Sequence, residues 1–270
     1  MIRESLQKHF IGMNKEFRFR GQESGRLENF SDACFALAIT LLLISTSPPT
    51  SFDQIKRFTW EIIPFFLCIT LIVMIWHQHF IFFFRYGLRN ATIITLNAFF
   101  LVLVLFYVYP LKFLTKAILI PLTKWFGPES FYEELKATYL GTHMGDLMII
   151  YGVGATAIFL VIALMYVYAL RHDAELELNT IELFDTKASM QANFCMAVVP
   201  FISVCVAIAW HGSPWAGFFS GMTYFLYTPV MGIFWMRKNK KRQMLLMPDV
   251  TAAVSEPSVL PQYPSEETLS

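Results

Sequence analysis

Long, uninterrupted apolar stretches dominate this chain and leave few folds open to it. Several of them exceed the ~18 residues that separate a membrane-spanning helix from one buried in a soluble core. Charged residues make up only 15% of the chain, whereas soluble domains carry about a quarter. A secreted protein, a disordered protein and a cytosolic enzyme are therefore disfavoured. The reading is an all-α, polytopic membrane protein.

Six spans are expected, over roughly 27–47, 59–84, 90–120, 144–170, 188–210 and 215–237. The first opens on Asn29, Ser31 and Asp32 and stops at Ser47, before Pro48-Pro49. Pro110 is expected to kink the third or to end it early, leaving 111–120 as an interfacial extension. Pro229 and Gly232 sit inside the sixth. Phe82, Phe83 and Phe84, with Arg85 and Tyr86, read as an interfacial anchor.

Lys and Arg distribute unevenly between alternate loops: fifteen fall on the side that holds both termini, and six on the other. By the positive-inside rule both termini are expected in the cytoplasm. The chain then divides into a cytoplasmic N-terminal segment (1–26), a six-helix transmembrane domain (27–237) and a basic, then disordered cytoplasmic tail (238–270). The tail from Pro248 onward is rich in Pro, Ser and Glu, with little to bury. Net charge is only +1, so bulk attraction to nucleic acid is not expected.

Ionisable residues inside a span are candidates for function. Here they are Asp32, His77, His79 and Asp146. Asp32 lies in the run from Arg26 to Thr40, RLENFSDACFALAIT, which fits R-x3-F-S-D-x3-A-x3-T at every set position. This pattern resembles the signature of the transmembrane protein 175 family of potassium-permeable channels. Trp76-His77-Gln78-His79-Phe80 and the stretch from Leu96-Asn97 to Pro110 extend the likeness more loosely. The motif occurs once, which resembles the single-repeat, six-helix bacterial form of the family. That resemblance implies a homotetramer in the bacterial inner membrane, with first helices lining a central pore, potassium as the permeant ion and no cofactor. It also implies a packing network of Arg26, Phe30, Ser31, Asp32, His77 and Asn97 joining the first three helices.

Helical geometry adds an independent reading. At 100° per residue, Leu37, Leu41 and Ile44 fall within ~60° of one another and span about 10 Å of axis. Leucines at this spacing ordinarily face lipid or core, and the resemblance makes them a candidate hydrophobic pore constriction. Thr40 flanks the stripe at ~60°, and its hydroxyl either meets an ion or bonds back to the Ala36 carbonyl. The resemblance favours the selectivity role. Asp32 lies ~140° from Leu37, on a face turned toward its own subunit. His77 or Asn97 is the expected partner there, since a buried carboxylate must be paired or protonated.

Other motifs fail. Tyr151-Gly152-Val153-Gly154 lies within a continuous apolar run, unlike a carbonyl filter in an extended loop. His77 and His79 are two apart and cannot chelate one metal from a helix. The four cysteines fall inside apolar runs, and no HExxH, P-loop or GxSxG is present, so an enzyme is not expected. The competing reading is a proton-coupled secondary transporter using Asp32 and His77. Against it, the two halves show no inverted repeat with matched broken helices.

Overall fold

The computed structural model describes residues 17–44, 50–118, 120–127, 129–139 and 144–246, apart from several side chains within the helices. Among these residues all regular structure is helical. Helix α1 runs Arg26–Ile44 and α2 Phe52–Tyr86. Helix α3 is Ala91–Ile118, followed by the short α4, Ile120–Phe126, and α5, Glu129–Tyr139. Helices α6, Met144–Arg171, and α7, Thr180–Ala209, form the most closely packed pair. The chain then passes through α8, Ala216–Met222, and a 3-10 turn, Thr223–Leu226, into α9, Tyr227–Leu246.

Among the described residues, five segments are long and apolar enough to cross a membrane: Arg26–Ile44, Phe58–Tyr86, Ala91–Ala117, Met144–Arg171 and Thr180–Ala209. The expected sixth, 215–237, is split into α8 and α9, neither of which meets that condition by itself. Pro229 accounts for the break. It has no N–H to donate to Phe225, and its ring crowds that carbonyl, so the preceding turn tightens. Pro110, by contrast, is carried within α3, which continues to Ile118. The expected end of the first span at Ser47 lies outside the described residues.

Caps account for two helices that begin earlier than the apolar pattern implies. The Ser51 hydroxyl accepts from the Gln54 N–H and opens α2 at Phe52 rather than near 59. Asn179 and Glu182 form a reciprocal capping box that opens α7 at Thr180 rather than near 188. Polar first turns belong to both helices but not to their apolar stretches. That is why hydropathy missed them.

The aromatic cluster at the end of α2 is core rather than an interfacial anchor. Phe82, Phe83, Arg85 and Tyr86 are buried, and Phe82 meets Tyr166 of α6 edge to face at 5.2 Å. The Tyr86 hydroxyl hydrogen-bonds Thr186 of α7 at 2.7 Å. Tyr151-Gly152-Val153-Gly154 lies within α6. A side chain on Gly152 would collide with Val204 and the Pro200 carbonyl of α7, so the glycine permits the close approach of these two helices.

Candidate functional site

Helix α1 has two distinct faces. Ser31, Phe35, Ala38 and Leu42 recur at helical spacing and are buried against the rest of the subunit. On another side Leu37 is 50% exposed and Ile44 70%, with Leu41 half-buried between them. Phe30 and Thr40 are also exposed. A 19-residue apolar helix that shows large aliphatic side chains along one line must cover them with lipid or with another chain.

The buried face is held by a directional chain of hydrogen bonds. His79 Nε2 lies 2.7 Å from Asn97 Oδ1. An amide oxygen only accepts, so the imidazole donates from Nε2. Asn97 Nδ2 then donates to Ser31 Oγ at 2.9 Å, and Ser31 donates to the Leu27 carbonyl at 2.8 Å. All three side chains are buried, and each satisfies the next. The His79 ring stacks on Phe100 at 5.2 Å and 7° between planes, which sets the imidazole's orientation.

Asp32 sits on the neighbouring side of α1 and is exposed. Its partner is Trp76 of α2, whose indole N–H donates across 2.8 Å, rather than His77 or Asn97. His77 is half-buried on a different face of α2 from His79. Arg26 and Phe30, expected in the same network, are exposed in the subunit. Thr40 Oγ1 donates to the Ala36 carbonyl at 2.9 Å, and the residue is exposed.

Both ends of α1 are fastened. At its start, Glu28 accepts from Arg89 at 3.0 Å and from the Gly25 N–H at 2.9 Å. Near its other end, the Lys112 ammonium of α3 donates to the Leu42 carbonyl at 3.4 Å, a cation at the negative pole of the helix. Upstream, Phe17–Gly21 forms a strap against the end of α2. The Arg20 and Gly21 N–H groups donate to the Arg85 and Phe84 carbonyls at 3.2 and 3.1 Å. A methyl on Gly21 would collide with the Phe83 carbonyl, so only glycine allows this approach. The strap is also tied to α7. Glu182, whose side chain is fully buried, accepts from Arg20 Nη2 at 2.9 Å and from the Arg18 N–H at 2.7 Å.

Trp76, His79, Glu182 and Lys112 were not expected in these roles. For His79 a signal existed. Cys68, Ile72, His79, Phe83 and Tyr86 are buried at helical spacing, which puts His79, and not His77, on the inner face of α2. For Lys112 and Glu182 the partners lie on other helices, and spacing along one chain carries no trace of them.

The fold defines a class: a helical protein whose described residues include five helices long and apolar enough to cross a membrane. A profile described as "Endosomal/lysosomal potassium channel TMEM175" matches residues 26–107. A protein of Marivirga tractuosa named "Potassium channel" is 42% identical over 240 residues, covering 87% of this chain and 96% of that relative. The crystal structure of a threonine-to-alanine variant of the potassium channel MtTMEM175, in complex with a Nanobody-MBP fusion protein, superposes with a TM-score of 0.74. The two are 41% identical, and the match covers 85% of this chain and 100% of that one. The chain belongs to the TMEM175 potassium-channel family, whose members matched here are channels and not enzymes.

Proposed function

We propose that four copies of this chain form a cation channel favouring potassium over sodium, with the α1 helices around a central pore. Both termini lie in the cytoplasm, and the membrane is a bacterial inner membrane. One observation carries this reading: Leu37, Leu41 and Ile44 line an outward side of α1, while its other face is pinned to α2 and α3. In this reading α8 and α9 together supply the sixth crossing, each subunit contributes a single pore helix, and cyclic symmetry closes the ring.

The three aliphatic residues make a constriction with no oxygen ligands. Gating there works by wetting and dewetting. Potassium holds its water less tightly than sodium and crosses more readily, so selectivity is modest and needs no carbonyl cage. Thr40, one turn from Leu37, adds hydroxyl oxygens beside the apolar levels. Asp32, Ser31 and Asn97 serve as anchors of the pore helix and not as ion ligands. The proteins resembling this chain are named as potassium channels, which supports the choice of ion. Recording in a planar bilayer, with potassium on one side and sodium on the other, tests the proposal. It calls for discrete currents and a reversal potential displaced in the direction of potassium preference. Ion flux without unitary currents, driven by a proton gradient, would instead establish a transporter.

A further inference from the structure

Five cations crowd one stretch of α9: Arg237, Lys238, Lys240, Lys241 and Arg242. The fold divides them into two groups. Arg242 pairs with Asp185 of α7 at 3.0 Å, and Lys238 donates to Gln191 and lies over the Phe184 ring. Arg237, Lys240 and Lys241 follow an i, i+3, i+4 pattern, so they share an arc of about 100° turned away from α7. All three are exposed. Val230 and Ile233 lie on the same arc, in the preceding turns, and they are exposed as well. Along one side of one helix the surface therefore passes from aliphatic to cationic over roughly 10 Å. No Asp or Glu occurs in α9 to neutralise it.

We propose that this side of α9 binds anionic phospholipid of the cytoplasmic leaflet, with acyl chains against Val230 and Ile233 and the headgroup phosphate at Arg237, Lys240 and Lys241. The inference rests on the reading of the chain as a membrane-spanning channel subunit with a cytoplasmic C-terminal end. The axial order of the surface selects the occupant. A soluble acidic protein matches the cations but leaves the aliphatic turns uncovered. A neutral lipid covers those turns but leaves three charges uncompensated. Only an anionic amphiphile satisfies both, and basic clusters just beyond a membrane span attract such lipids.

The test uses the full chain in nanodiscs of equal parts phosphatidylcholine and phosphatidylglycerol, with retained lipid read by native mass spectrometry. The wild type is expected to retain phosphatidylglycerol preferentially. Each cation at an anionic surface contributes about a fivefold preference. Combining Arg237→Gln, Lys240→Gln and Lys241→Gln should therefore lower the preference on the order of a hundredfold. Lys238→Gln, on the α7 side, should keep it. Equal retention of the two lipids by the wild type overturns the proposal. So does undiminished preference in the triple variant, equal loss in Lys238→Gln, or a triple variant that changes the number of subunits instead of the bound lipid. Conduction recorded from the same protein is a separate readout. A wild type that conducts without retaining phosphatidylglycerol sinks this inference alone, whereas one that retains it and never conducts contradicts the channel reading alone.

Discussion

The indole N–H of Trp76 donates to the Asp32 carboxylate across 2.8 Å and ties one side of α1 to α2. The His79–Asn97–Ser31 chain ties the adjacent, buried side to α2 and α3. Two fastenings on neighbouring sides of one helix determine its rotation. Leu37, Leu41 and Ile44 are thereby kept on the side away from both.

Removing either partner of the first fastening should cost stability rather than ion preference. A hydrogen bond to a charged group contributes about 1.5–3 kcal/mol, and the exposure of Asp32 places this one at the lower end. Asp32→Ala and Trp76→Phe are expected to lower the melting temperature, and the double variant should be little worse than either alone. A thermal denaturation cycle on the purified oligomer checks this. An Asp32→Ala protein that assembles normally and loses all conduction would move Asp32 to a transport role.

The second fastening is buried, so breaking it should cost more. Asn97→Leu leaves the Ser31 hydroxyl without its donor and the His79 N–H without its acceptor. A buried polar group left unsatisfied costs about 1–3 kcal/mol. Asn97→Leu should therefore be more destabilising than Asp32→Ala in the same melt. Asn97→Ser, which keeps a polar group, should recover part of the loss.

Much of this arrangement can be read from residue order. The Arg26–Thr40 motif marks α1 and places Ser31 and Asp32 on it, and hydropathy finds the five apolar spans to within a few residues at most ends. Three things escape. Helix starts at Ser51 and Asn179 depend on side-chain caps that hydropathy does not weigh. The burial of Phe82, Phe83 and Tyr86 depends on α6 and α7 covering the end of α2, a tertiary fact. The partner of Asp32 is decided by which side of α2 faces α1, and Trp76 and His77 differ by only one residue.

One carboxylate, Glu182, ties the strap before α1 to α7. Glu182→Gln removes the charge that Arg18 and Arg20 meet, although both arginines retain some contact with water. Loss of one partner of a buried pair costs about 3–5 kcal/mol, and partial exposure of the arginines lowers the expectation to about 2 kcal/mol. Limited proteolysis should cut the segment around Phe17–Gly21 faster in Glu182→Gln than in the parent. Glu182→Asp, which keeps the charge and its acceptor oxygens, should lose less protection than Glu182→Gln.

Thr40 separates selectivity from assembly. Among the described residues its hydroxyl bonds to the Ala36 carbonyl of its own helix, so Thr40→Ala removes no hydrogen bond between helices there. Subunit number and melting temperature should stay as in the parent, while the potassium-to-sodium permeability ratio falls. Reversal potentials under mixed-ion conditions give that ratio directly.

The central claim is that the outward stripe of α1 is the narrowest level of the pore. Single-channel recording of Leu37→Asn beside the parent, with potassium and sodium on opposite sides, tests it most directly. A polar ring lets hydrated ions of either kind through the constriction. Unitary conductance should rise, and the reversal potential should move toward zero as potassium preference declines. If both stay at the parent's values in a correctly assembled Leu37→Asn protein, the pore does not run along this side of α1.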